Sequence, residues 1–145
     1  MKQIAPAVIN AAFILLSSIA PAALAQTPAP VPTMRQLMLD LIHPSSNDIL
    51  LVVYRGGPSD DKEWTVVRRS ALALAESGNT LMTRVDSGDW RNAAKLLADA
   101  GSEAYKAAQA KDAKALAAVT VRIDASCTNC HKQFRPNVFP TGGSK

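Results

Sequence analysis

Both cysteines of the chain and one of its two histidines fall within five consecutive positions, Cys127-Thr128-Asn129-Cys130-His131. On a helix, positions i, i+3 and i+4 share one face, so this spacing presents two thiols and an imidazole side by side. C-x-x-C-H is the attachment pattern of c-type haem. The two thiols reach the two vinyl groups of one porphyrin, and the imidazole of His131 comes up under the iron as its proximal ligand.

Other chemistries of the same residues fit less well. A thioredoxin-type C-x-x-C expects a preceding strand in a βαβ setting, and no stretch here alternates with the period of two that a half-buried strand requires. A structural zinc site wants four ligands, and the only other Cys or His is His43, far upstream. A disulfide across two residues closes too small a loop to contribute much stability. No Ser/His/Asp set or carboxylate pair stands out, so the sequence points away from an enzyme. Nucleic-acid binding is also disfavoured: the formal charge is only +4 and Arg68-Arg69 is the only adjacent basic pair, whereas nucleic-acid binders carry clustered basic stripes with stacking aromatics.

Haem attachment needs export to a compartment where thioethers are made, and the N-terminus has the layout of an export signal. Residues 1–25 run from a single charge, Lys2, through an apolar core at Ala11 to Leu16, to Ala23-Leu24-Ala25 before Gln26. Cleavage after Ala25 is the expectation, and with it a periplasmic location. The apolar part is short and broken by Pro6, Asn10, Ser17, Ser18 and Pro21, which disfavours a membrane span of about 20 residues. Stable membrane insertion after cleavage is therefore not expected. Residues 26–32 are Pro-rich and read as a linker.

The elements that position the motif are helical. Thr33 and Gln36 have the spacing of a capping box, followed by Met34, Leu37, Met38, Leu41 and Ile42 on one face. Pro44 is expected to kink or interrupt this helix, and Arg55-Gly56-Gly57-Pro58 to end it. Asp60 and Glu63 suggest a second capping box before the seam Trp64, Val67, Ala71, Leu74, Gly78, Leu81 and Val85. After Asp86-Ser87-Gly88, Trp90, Ala93, Ala94, Leu97, Gly101, Ala104 and Ala108 form a third seam. A turn near Lys111-Asp112 leads to Leu116, Thr120, Ile123, Cys127 and Cys130, and Pro136 stops the last helix. The expected fold over residues 33–145 is all-α, an antiparallel up-down-up-down four-helix bundle with covalently bound haem.

A C-x-x-C-H motif on the last helix of such a bundle resembles the class II c-type cytochromes, the cytochrome c′ family. The stretch Cys127-Thr128-Asn129-Cys130-His131-Lys132-Gln133-Phe134-Arg135 is similar to the family's C-x-x-C-H-x-x-aromatic-Arg ending, and Arg35-Gln36 to its Arg-Gln pair. The resemblance implies one haem c and a distal residue supplied by the first helix. Met38 is the candidate sixth ligand, giving a low-spin haem with a potential suited to electron transfer. Counting from the Arg-Gln pair instead places Leu39 there, which leaves five-coordinate iron open to nitric oxide. Met34 is a weaker candidate. His43 precedes Pro44, where a surface or capping role is the plainer reading. Arg35 and Arg135 are candidates for pairing haem propionates through two parallel hydrogen bonds. Trp64, Trp90, Phe134, Leu116 and Ile123 line either the haem pocket or the core.

The expected function is that of an exported monohaem electron carrier serving redox partner proteins of the periplasm or membrane, with the gas-binding protein as the alternative. A homodimer through the first two helices is compatible with the sequence, and its mark would be outward-facing apolar residues there. Only 5% of the chain is aromatic, and a bundle of this size buries little surface per residue, so haem is expected to supply missing apolar bulk. Cys127→Ala with Cys130→Ala should accordingly lose fold as well as colour, checked by circular dichroism and thermal melting; an equally stable, cooperative, helical double variant is the contrary result.

Overall fold

The computed structural model describes residues 31–137; the expected signal and all of the linker but Val31 and Pro32 lie outside that range. The described residues are helical. The first helix, α1, runs without a break through three segments, Met34–Gln36, Leu37–Ile42 and His43–Tyr54. It is followed by α2 (Asp61–Met82), α3 (Gly88–Gln109) and α4 (Ala113–Phe134). Each packs on its predecessor, and α4 also packs on the His43–Tyr54 segment of α1, closing a four-helix bundle. The short connections turn each helix back along the one before it.

Local chemistry sets the ends. Thr33 and Gln36 form the reciprocal capping box, with the Gln36 amide donating to the Thr33 hydroxyl and the Gln36 side chain accepting from the Thr33 amide. Asp60, Ser87 and Asp112 cap α2, α3 and α4 by accepting from the amides of Glu63, Trp90 and Ala115. The second box is only half formed. The Glu63 carboxylate takes the amide and hydroxyl of Ser59, at 2.8 and 3.0 Å, instead of the Asp60 amide. Those bonds and the nearby Arg55 guanidinium hold its pKa below the usual carboxylate value. At the far end of α1, Gly56 and Gly57 adopt φ of +109° and +103°, which L side chains resist, and their amides satisfy the carbonyls of Val53 and Val52.

Pro44 does not interrupt α1. The helix passes through it by widening: Leu37–Ile42 is a π-helical turn in which the His43 amide donates to the Met38 carbonyl, five residues back. A proline in an α-helix has no amide to give and its ring collides with the carbonyl four residues earlier; the wide turn relieves that collision. The extra residue also changes which side chains face inward. Leu41, expected on the buried face, is 41% exposed, while Leu37 and Ile42 are buried.

The seams of the other helices form the core almost as spaced. Ile49, Leu74, Leu116 and Ile123 are fully buried, joined by Val67, Ala71, Leu81, Trp90, Leu97 and Ala104. Val85 is exposed because α2 ends three residues earlier. The closest approach is between α2 and α3. A Cβ on Gly78 would stand 2.5 Å from the Ala98 backbone nitrogen, and one on Gly101 2.5 Å from that of Ala75. Leu51 and Tyr54 of α1 and Leu72 of α2 face outward.

Gly101→Ala should therefore destabilise the fold by about 1–3 kcal/mol through overpacking, although helix propensity alone predicts a gain of about 1 kcal/mol. The midpoint of denaturant unfolding gives the sign directly.

Candidate functional site

The last turns of α4 carry the site. Cys127 and Cys130 are half-buried and not bridged to each other, and His131 is half-buried beside them. The turn before them is held by Ser126, which is buried and donates its hydroxyl to the Ile123 carbonyl at 2.7 Å. Beyond them, Phe134 meets Trp90 of α3 edge to face with ring centroids 5.0 Å apart. The Trp90 indole in turn donates to the Leu81 carbonyl at 2.6 Å. This chain of contacts ties the end of α4 to α3 and to the end of α2.

Cys127, Cys130 and His131 open onto a mainly apolar cavity of about 350 Å³ between α1 and α4, floored by Leu81 of α2 and by Ala93, Ala94 and Leu97 of α3. The opposite wall is α1, in two rows of residues four apart: Met38, Ile42, Ser46 and Leu50, and Leu39, His43 and Asn47. Asp124, Ser126 and Arg135 complete the lining. A larger concavity between α3 and α4 is a surface groove. Most of its lining is exposed, including Arg122 and Glu103, which pair with each other.

Burial sets the protonation states. It pushes the Cys127 thiol up, with a further push from Asp124, and it pushes Cys130 up with Cys127 adding to it. His131 is moved down, first by burial and then by the positive charge of Arg135. At neutral pH the site therefore presents two thiols and a neutral imidazole, the form in which histidine binds a metal.

Met38, Cys127, Cys130, His131 and Arg135 thus line one cavity. Arg35 does not belong to that lining; it is exposed on the first turn of α1. Met34 packs against the core. The side chains left open between pocket and core belong to the core: Trp90 lies within it, Trp64 and Phe134 pack against it, and Leu116 and Ile123 are fully buried there. His43 does line the cavity, beside Asn47, whose amide is 3.5 Å from its ring. Even so, among the described residues no three His, Cys, Asp or Glu side chains converge to hold a metal ion, which leaves the four-ligand zinc arrangement unformed. Sequence reasoning missed the floor of the cavity. Its signal was the adjacent pair Ala93-Ala94 on the α3 seam, too small to fill the space beneath Cys130.

Known proteins offer no match to this chain, whether by family model, by curated sequence or by solved structure.

Phe134→Ala is expected to cost about 2–4 kcal/mol by removing the ring that packs α4 onto Trp90, with a matching fall in the denaturant midpoint.

Proposed function

We propose that this chain is an exported c-type cytochrome with one covalent haem c, carrying single electrons between redox partner proteins of the periplasm or its membrane. The observation that carries the reading is the shared cavity: the Cys127-x-x-Cys130-His131 face of α4 and Met38 of α1 line the same apolar space.

The residues present suit such a group. Two unbridged thiols at i and i+3 match attachment at two points on one ring edge, and the adjoining imidazole is held neutral, as a ligand must be. The remaining walls are mainly apolar, as in most cofactor sites. Bound there, haem supplies a reversible one-electron change at its iron. Cys127 and Cys130 would hold the porphyrin through their sulfurs, His131 would offer an imidazole nitrogen to the iron, and Met38 would offer a thioether sulfur from the facing helix. Arg135, in the cavity lining, would pair with a propionate. Arg35 lies outside that lining. Leu81, Ala93, Ala94 and Leu97 exclude water, which favours one stable coordination state and keeps the reorganisation accompanying electron transfer small.

Leu39 supports a second reading, because it lines the same cavity as Met38. With Leu39 facing the iron the sixth position stays open, and the protein binds nitric oxide. The visible spectrum separates the two. Ligation by Met38 gives a sharp low-spin reduced spectrum unchanged by carbon monoxide, and Met38→Ala converts it to a high-spin form that binds carbon monoxide. A wild-type protein already high-spin and responsive to carbon monoxide supports the gas-binding reading instead.

A further inference from the structure

We infer that Pro44 decides which of two adjacent side chains, Met38 or Leu39, is presented across the cavity to His131, and so sets the ligation state of the site; this rests on the haem-binding reading above. In an uninterrupted α-helix, residues four apart advance about 40° per step, so a row from Met38 to Leu50 sweeps about 120° and leaves the cavity. Yet Met38, Ile42, Ser46 and Leu50 all line it. The wide turn of Leu37–Ile42 explains this: it holds more residues per turn, and its row turns back against the sweep.

A π-helical turn amounts to one extra residue inserted into an α-helix. Relative to the His43–Tyr54 segment, Met38 therefore occupies the angular position that residue 39 would hold if the helix were α throughout. Burial agrees with that order. Met38 is half-buried and packs against the core, whereas Leu39 touches the cavity while remaining 54% exposed. Closing the wide turn into α geometry rotates everything before it by about 100°, one residue's worth. Leu39 then replaces Met38.

Pro44 keeps the turn open. It has no amide with which to complete the α pattern, and its ring would strike the Asp40 carbonyl in a closed turn. The segment after it cannot rotate in compensation, because Ile49 and Val52 are buried in the core and Ser70 of α2 donates to the Asp48 carboxylate at 2.7 Å. Pro44 does not line the cavity, so it is a positioning residue.

The test is Pro44→Ala in the full haem-loaded protein. The turn is expected to close, with the His43 amide bonding to the Leu39 carbonyl in place of Met38, seen as a through-hydrogen-bond coupling in nuclear magnetic resonance. The spectrum should pass from low-spin to high-spin with carbon monoxide binding gained. Deleting Asp40 in the Pro44→Ala background removes the extra residue, returns Met38 to its angle and should restore the low-spin spectrum. That rescue separates a register effect from simple loss of stability. A wide turn that persists without Pro44 overturns the proposal whether or not haem is bound. A turn that closes with no change of ligation, or a deletion that fails to rescue a folded protein, overturns it equally. A wild-type chain without haem refutes the function proposed above, and the role of Pro44 in the turn is then decided by the backbone coupling alone.

Discussion

The close contact of α2 with α3 is the constraint on which the remainder rests. Gly78 against Ala98 and Gly101 against Ala75 allow the two backbones to approach until no further carbon fits between them. Two helices locked this way make a rigid slab. Ile49, Leu74 and Leu116 fill the core, while beside the start of α1 and the cysteine-bearing end of α4 the slab lines the cavity with Leu81, Ala93, Ala94 and Leu97. The space left between α1 and α4 there is a direct result of small side chains on the floor.

Forces elsewhere are ordinary. The ion pairs, among them Lys95 with Asp99 and Lys111 with Asp61, are exposed and screened by solvent, so they contribute little. The core is built largely from alanine and medium aliphatic residues, with Trp90 as its one large aromatic. Such a core offers limited apolar burial, and the hydroxyl of Ser77 lies buried within it without a hydrogen-bond partner. Stability therefore depends on the quality of packing at a few contacts, and on whatever occupies the cavity.

Much of this was legible in the sequence, for a physical reason. Helix periodicity and caps are local properties, so the four helices, the capping at Thr33 and Asp60, and the shared face of Cys127, Cys130 and His131 follow from spacing alone. The inward orientation of α1 did not. Proline was expected to kink or interrupt the helix, because the rule considers the α pattern and not a wider turn that buries Leu37 and Ile42. That single change of winding moved Leu41 out and turned Met38 inward ahead of Leu39. The roles of Trp64, Trp90 and Phe134 were equally hidden, since pocket and core differ only in tertiary placement. Arg35 and Arg135 looked alike in sequence; the fold brings only Arg135 to the site.

The bond from Ser70 to Asp48 has a mechanical meaning. With the buried Ile49 and Val52 it clamps the longer, C-terminal part of α1 to the slab, while the shorter part before the wide turn is attached at fewer points: the Thr33 cap, the side chains of Met34 and Leu37, and the carbonyl of Pro32, which accepts from Arg84 at 3.0 Å. The first helix is thus a lever with unequal arms and its fulcrum at residues 37–42. Twisting strain delivered along either arm is expressed at that fulcrum, where Met38 and Leu39 stand.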